Sequence, residues 1–246
     1  MLEVQVNRFG GPEVLTPRQG PDPAAGPGQV VIETVAVDVL LVDTLVRSGR
    51  GVGFFPVRPP YVPGDGVAGH VIAVGDGVDT SWTGRAVVAR TGGGGDGLGG
   101  YTERAVVPAA DLIPVPPGLG LLEAAALLHD GTTAFGLLEA AVIKPGAWVL
   151  ITAPGGQFFA HGMSDGGFAR LDTQQAARRG ITVHGIERAQ HEPATIRRLA
   201  GAALAEAAAG RLRPVIGQTF PLDRAADAHA ALEARATVAK TLLITA

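Results

Sequence analysis

The most restrictive feature of this sequence is the stretch at residues 146–162, GAWVLITAPGGQFFAHG. Its apolar run at 148–151 is typical of a strand that is buried on both faces. In a dinucleotide-binding unit, such a strand leads into a glycine-rich turn and a helix whose first amides hold the pyrophosphate. Here APGG (153–156) follows, with Pro and Gly at the places that a type II turn prefers, and a second strand-like run begins at once. The stretch therefore starts like the first strand of a nucleotide-binding sheet but lacks the turn that binds phosphate.

Composition excludes several classes of protein. The 246 residues suffice for one large or two ordinary domains, and 46% of them are hydrophobic. The net charge of −3 and the lack of a basic block argue against nucleic acid as a partner. Because the sequence shows neither a membrane-spanning apolar run nor a charged-then-apolar leader, we expect a cytoplasmic protein that does not enter a membrane. The absence of cysteine excludes disulfides, thiol catalysis and cysteine-ligated zinc.

The hydrophobic pattern predicts an α+β protein. Residues 1–110 are predicted to form short strands separated by Gly- and Pro-rich turns, which favours a small barrel or sandwich. Helical spacing of apolar residues begins near Leu121, and helices then alternate with strands, as in an α/β layer. We predict a β-barrel domain at 1–120 and an α/β domain at 121–246. Residues 221–246 are expected to stay with the second domain or to return to the barrel or its sheet.

A set of collinear motifs resembles the zinc-independent quinone oxidoreductase branch of the medium-chain dehydrogenase/reductase family. The motifs are VDTLVRSG (42–49), VPGDGVAG (62–69), VGDGV (74–78), GGYTE (99–103), EAAAL (123–127), GTTA (131–134), HGM (161–163), FPLDRAADAH (220–229) and AKTLL (239–243). Each motif is short, but together they span nearly the whole chain in the order of the family.

The resemblance implies a GroES-like barrel joined to a Rossmann domain, with the substrate in the cleft between them. It also implies hydride transfer from NADPH to quinones, enals or enones. The second half departs from the family, because residues 153–156 match the turn before a much later strand. A six-stranded Rossmann sheet takes roughly 130–150 residues, whereas only about 100 residues follow Gly146. We therefore expect most of the Rossmann domain to be missing and NADPH affinity to be weak or nil.

Two stretches satisfy the G-x-G-x-x-G pattern, at 64–69 and at 95–100. Strand-like runs follow both of them, so neither offers a helix N-terminus to a phosphate, and we predict turns of the barrel. Gly69-His70 is similar to the zinc-ligating Gly-His of alcohol dehydrogenases. The chain has no cysteine, and Val71 stands where those enzymes carry Glu. We predict no zinc site and a partly buried, structural His70.

Three residues are candidates for catalysis: Asp43, His129 and Asp130. By the resemblance, His129 and Asp130 border the nicotinamide pocket, although adjacent residues of a helix point apart. Asp43 lies near the substrate cleft, where Arg47 and Tyr61 would contact the substrate. The alternative for Asp43 and Arg47, which are four residues apart, is an ordinary helical salt bridge.

Cofactor contacts are implied by the resemblance alone. Thr133, Gly162 and Met163 would border the nicotinamide ring, and Lys240 matches a lysine near the cofactor. The alternatives are a core threonine at 133 and a solvated lysine at a sheet edge.

Three functional hypotheses follow. The first is an NADPH-dependent reductase of quinone- or enone-like compounds. The second is a cofactor-free ligand-binding module, lyase, isomerase or cyclase that uses Asp43, His129 and Asp130 as acid–base groups. The third is an inactive deletion variant. Because a shortened sheet exposes edges, we also predict a homodimer, or a hairpin between residues 147–152 and 157–161.

Overall fold

The computed structural model describes residues 1–51, 55–95, 98–141, 157–159, 172–184 and 191–245. It has the mixed α+β character that the sequence predicts. The strands are β1 (Leu2–Val6), β2 (Leu15–Gln19), β3 (Gln29–Val39), β4 (Gly66–Val74), β5 (Ala86–Arg90), β6 (Arg104–Pro108), β7 (Ile113–Pro114), β8 (Gln157–Phe159), β9 (Thr182–His184), β10 (Ile216–Pro221) and β11 (Lys240–Ile244). The helices are α1 (Leu41–Arg47), α2 (Leu121–Ala141), α3 (Thr173–Arg178), α4 (Pro193–Ala208) and α5 (Ala225–Glu233).

The long strand β3 organises the main sheet, whose order in the described residues is β10-β11-β3-β4-β5-β7, with β6 also paired to β3. The first half of β3 pairs antiparallel with β6, and its second half pairs antiparallel with β11. Its other edge pairs with β4. Since β11 lies beside β3, residues 240–244 belong to the same sheet as residues 29–39. The domain division at residue 120 stays a prediction.

The sheet is covered on both faces, which explains why β3 is apolar almost throughout. One face encloses the barrel core, which includes Val30, Ile32 and Val37. On the other face, α2 packs on β3, β4, β5 and β11, and α4 packs along α2. Leu128 of α2 and Leu204 of α4 are fully buried in this second core. None of the described helices combines the length and the apolar character needed to span a bilayer.

The glycine-rich stretch at 64–69 is not simply a turn, so that prediction was wrong. Gly64 precedes β4 with a φ of 90°, but Gly66 and Gly69 lie within β4. A Cβ atom on Gly69 would lie 2.0 Å from the carbonyl oxygen of Glu33 on the neighbouring strand. Glycine is therefore required here by the close approach of β3. The second stretch lies between β5 and β6, and its residues 96 and 97 are outside the described part.

The short strands β8 and β9 pair in parallel. The predicted hairpin between residues 147–152 and 157–161 cannot be compared with this pairing, because residues 142–156 lie outside the described part of the chain. The homodimer also stays a prediction.

Replacing Gly131 with alanine should destabilise the protein by about 1–2 kcal/mol. A Cβ atom at this position of α2 would lie 2.7 Å from Cβ of Ala203 in α4, which cannot move without displacing the helix. A contact this close places the overpacking cost in the upper part of the usual range of about 1–3 kcal/mol, and the higher helix propensity of alanine offsets about 1 kcal/mol of that cost. Urea unfolding measures the difference.

The matched control is Gly201→Ala on α4. Gly201 has no heavy atom within 4 Å of its Cβ position among the described residues. The same substitution should therefore stabilise the protein by about 1 kcal/mol. Equal effects of the two variants would show that α2 and α4 are not in close contact.

Candidate functional site

A cleft of about 500 Å³ lies beside α1. Its lining residues come from the N-terminal half of the chain and, in the case of His129, from α2. Most of its wall is apolar, as is usual for sites that bind small organic molecules. The lining residues are Leu40, Val42, Asp43, Val46, Phe55, Pro56, Val57, Tyr61, Pro63, Asp65, Arg90, Gly92, Gly93, Gly95 and His129. The cleft brings together three of the residues that the sequence predicts for the site: Asp43, Tyr61 and His129.

Asp43 is buried in the first turn of α1. Its Oδ2 atom accepts hydrogen bonds from the backbone N–H of Leu40 at 2.9 Å and from the hydroxyl of Tyr101 at 3.3 Å. Burial, together with the nearby charges of Asp38 and Asp65, raises the pKa of Asp43 to about 7. The hydrogen bond from Leu40 opposes this shift without cancelling it. Asp43 can therefore exchange a proton near neutral pH.

Tyr101 connects Asp43 to a buried histidine. The Tyr101 hydroxyl lies 2.8 Å from Nε2 of His229, and the two rings meet edge to face with centroids 5.7 Å apart. Burial, with a smaller contribution from Arg47, lowers the pKa of His229 to about 3. His229 is therefore neutral at physiological pH and stabilises the hydroxyl behind Asp43 without adding a charge.

His129 of α2 lies between two carboxylates. Its Nδ1 is 2.8 Å from Oδ2 of Asp38 on β3, and its Nε2 is 3.1 Å from Oδ2 of Asp65 just before β4. Burial alone would lower the pKa of His129, but the two carboxylates outweigh it and raise the pKa to about 9. The ring is therefore an imidazolium that links α2 to β3 and to the residue that precedes β4.

Two further cations complete this network. Lys240 at the start of β11 is buried, and its Nζ lies 3.3 Å from Oδ2 of Asp38 and 3.3 Å from Oδ1 of Asp130. Arg90 donates to Oδ2 of Asp65 from Nε at 2.6 Å. Burial would raise the pKa of Asp65, but His129 and Arg90 together lower it to about 2. Asp38 and Asp65 are therefore both ionised, and each is paired with two cationic side chains.

Several predicted site residues lie away from the cleft wall. Arg47 is fully buried, and its guanidinium group forms an ion pair with Glu233. Asp130 projects to solvent beside Lys240, as expected for a helix neighbour of His129. Thr133 is half-buried on α2, one turn after His129. Gly162 and Met163 lie outside the described residues.

His70 was predicted to be partly buried, but it is exposed on β4. Side chains alternate along a strand, and the neighbouring Val71 takes the inward position. Among the described residues, no group of His, Cys, Asp and Glu is arranged to hold a metal ion. Both ring nitrogens of His129 already contact carboxylates, which leaves no nitrogen lone pair for a metal.

Four members of the site were missed by sequence reasoning: Asp38, Asp65, Tyr101 and His229. Asp38 could have been identified from the sequence, because it is the charged residue in the apolar run 35–42, and a buried charge needs a partner. The indication for His229 is weaker: it is the histidine of an otherwise Ala-rich helix. Tyr101 and Asp65 lie in the Gly-rich motifs GGYTE and VPGDGVAG, whose glycines predict turns and do not indicate that either residue belongs to a site.

Two family models match the chain. One is described as "Alcohol dehydrogenase GroES-like domain" and covers residues 26–117. The other is described as "Zinc-binding dehydrogenase" and covers residues 135–243. The first corresponds to the barrel and the second to the α/β part, so the described structure combines a GroES-like domain with a partial Rossmann-like domain.

Curated relatives point to one branch. A 2-haloacrylate reductase of Burkholderia sp is 31% identical over 202 residues, which is 81% of this chain and 56% of that protein. The human quinone oxidoreductase is 33% identical over 189 residues, which is 75% of this chain and 52% of that protein. The chain thus spans about half the length of these relatives.

Solved structures share the fold. A mycobacterial quinone oxidoreductase superposes with a TM-score of 0.79 at 21% identity, with 99% of each chain covered. The Escherichia coli quinone oxidoreductase in complex with NADPH gives 0.78 at 18% identity, with 99% of this chain and 100% of that chain covered. The chain therefore belongs to the medium-chain dehydrogenase/reductase family, in its quinone oxidoreductase branch.

Proposed function

We propose that the protein is an oxidoreductase that acts on a small apolar quinone- or enone-like compound in the cleft. The observation that supports this most is the composition of the wall, where an apolar surface meets the ionisable residues Asp43, Tyr61 and His129. The apolar part suits a carbon skeleton, and the ionisable part suits a carbonyl oxygen. Quinones and 2-haloacrylates, after which two relatives are named, both carry a C=C bond conjugated to an oxygen-bearing carbon, a ketone carbonyl in quinones and a carboxylate in 2-haloacrylates.

Reduction of a conjugated carbonyl compound places negative charge on its oxygen, which then needs a proton. Asp43 suits this role because its pKa of about 7 allows it to give up a proton near neutrality. His129 is less suitable, since its pKa is about 9 and both ring nitrogens are engaged by Asp38 and Asp65. We therefore assign proton donation to Asp43 and the positioning of α2 to His129.

NADPH is the hydride donor expected from the family, and the described residues fit it only in part. Thr133 lies on the same helix face as His129, so the nicotinamide end of the cofactor would fit beside the cleft. The diphosphate has no clear receptor among the described residues. Three cations near the cleft already pair with acids: Lys240 with Asp38 and Asp130, Arg90 with Asp65, and Arg197 with Asp111. We therefore expect NADPH to bind weakly.

Thermal unfolding with added ligand tests this proposal. Any ligand that binds only the folded state must raise the melting temperature. Menadione, a small quinone, should raise it at micromolar concentration, whereas NADPH should do so only at millimolar concentration. Micromolar NADPH binding would contradict the weak-binding expectation. No shift with menadione or with a simple cyclic enone would contradict the proposed substrate class.

The cofactor-free acid–base function remains the second candidate, and one observation favours it. Asp43 combines a pKa of about 7 with a mostly apolar cleft, which is the setting of a carboxyl group that moves protons between carbon and oxygen. Turnover of an enone without any nicotinamide, lost in Asp43→Ala, would support this function over reduction. Oxidation of NADPH that depends on added quinone would support reduction.

A further inference from the structure

We propose that Tyr61 and Asp43 form a two-donor site for the carbonyl oxygen of the ligand. Both groups act as neutral O–H donors, and the ligand class is a quinone or enone whose oxygen becomes negatively charged during reaction. This inference rests on the proposed function and deepens it, because it names the groups that bind the reacting oxygen.

Tyr61 supplies the first donor. Its side chain lines the cleft although only 1% of the residue is exposed, and its hydroxyl has no hydrogen-bond partner among the described residues. The backbone of Tyr61 is fixed by reciprocal hydrogen bonds with Val6 on β1, at 2.8 and 3.1 Å. A buried hydroxyl without a partner is unfavourable, and a ligand oxygen in the cleft would supply the missing acceptor. Burial raises the pKa of Tyr61 well above its usual range, so the phenol keeps its proton.

Asp43 supplies the second donor. Its Oδ2 is occupied by the N–H of Leu40 and the hydroxyl of Tyr101. The remaining oxygen, Oδ1, is therefore the one that carries the proton of the neutral acid and donates it to a ligand. Asp43 and Tyr61 are close enough for the charge of the carboxylate to raise the pKa of the phenol further. Both residues line the cleft.

The charges around Asp43 decide when it is a donor. Asp38 of β3 and Asp65 before β4 favour the protonated acid, while His129 of α2 favours the carboxylate. On α1 itself, Arg47 is neutralised by Glu233 of α5. Behind Tyr101, His229 of α5 is uncharged. The pKa of Asp43 is about 7. Below this pH its carboxyl group is neutral and donates a hydrogen bond to the ligand oxygen. Above this pH it is a carboxylate and repels the electron-rich oxygen of the ligand.

Binding of menadione, measured by calorimetry from about pH 5.5 to about pH 8.5, tests the two-donor site. Menadione cannot form thiol adducts with this chain, which has no cysteine. The wild-type protein should bind it about tenfold more tightly at the acidic end, with a midpoint near the pKa of Asp43, about 7. Tyr61→Phe should bind about tenfold more weakly than the wild type at the acidic end. Asp43→Asn should bind with nearly constant affinity, because its amide donates at every pH.

Tyr101→Phe removes the hydroxyl that donates to Oδ2 of Asp43 and should therefore change the pH midpoint of binding. The matched control is His70→Ala, which removes a side chain that is exposed on β4 and does not line the cleft, and it should change neither the affinity nor the pH midpoint. The infrared carbonyl band of bound menadione gives a second measurement on the wild-type protein. It should shift to lower frequency at acidic pH.

The outcomes separate this inference from the proposed function. Menadione that binds equally well to the wild type and Tyr61→Phe, with an unshifted carbonyl band, would overturn the two-donor site and leave the cleft as a quinone site. A pH dependence that persists in Asp43→Asn would overturn the role of Asp43. Menadione that binds at no pH would remove the proposed function, and this inference with it.

Discussion

Replacing His129 with alanine should destabilise the protein by about 3–5 kcal/mol, the range expected when one partner of a buried ion pair is removed. Asp38 is fully buried, and the side chain of Asp65 is only 12% exposed. Without the imidazolium, each carboxylate loses one of its two cationic partners. Lys240 and Arg90 remain, so the lower half of the range is expected. Urea unfolding at neutral pH measures the loss.

The contribution of His129 to the stability of the protein should fall at alkaline pH. The pKa of this residue is raised from 6.5 to about 9 in the folded protein. Its contribution to stability is therefore fully present below about pH 6.5 and is lost as the pH rises through about 9. The difference between the wild type and His129→Ala should shrink over that interval.

His70→Ala is the matched control, because His70 is exposed on β4 and forms no ion pair with the other residues that the structure describes. It should change stability by less than about 0.5 kcal/mol at any pH. A similar small change in His129→Ala would mean that the network of Asp38, His129 and Asp65 does not hold α2 against the barrel.

The secondary structure was largely predictable because its signals are local. The sequence pattern at residues 240–244 predicts a strand, and the last strand is observed at Lys240–Ile244. Pro193, followed by an Ala-rich amphipathic stretch, predicts the start of a helix, which is observed at Pro193–Ala208. Periodicity and terminators such as Pro and Gly suffice for such elements. The stretch at 64–69 was misassigned because glycine marks a turn and a close strand contact alike, and only the neighbouring strand distinguishes them.

The site was predictable only in part because its contacts are not local. His129 could be selected as a candidate, but its partners Asp38 and Asp65 lie 91 and 64 residues away in sequence. Tyr101 and His229 are 128 residues apart and meet only because the C-terminal part returns to the barrel. Such pairings depend on the strand order. A charged residue in a strand buried on both faces, such as Asp38, shows that a partner exists without identifying it.

Asp43→Asn should make the protein more stable at alkaline pH, by about 2–4 kcal/mol at about pH 8.5. Burial raises the pKa of Asp43 from 3.8 to about 7, so the folded protein holds the proton more tightly than the unfolded chain. The stability linked to this proton is fully present below about pH 3.8 and is lost as the pH rises through about 7. Asparagine avoids that loss because it stays neutral, and its side-chain oxygen can still accept from Leu40. The gain should disappear near pH 4, as measured by urea unfolding across this range.

Asp79→Asn is the matched control and should respond in the opposite direction. Asp79 is exposed, and its hydrogen bond with the backbone of Ser81 lowers its pKa. The contribution of Asp79 to stability is present above the pKa of this residue in the unfolded chain and is lost as the pH falls. Asp79→Asn should therefore lower the stability slightly at alkaline pH. If Asp43→Asn behaved like Asp79→Asn, Asp43 would be an ordinary exposed carboxylate and could not be the proton donor of the cleft. A stabilised Asp43→Asn variant that turns over no substrate would instead show that the wild type retains a costly buried carboxyl group for its chemistry.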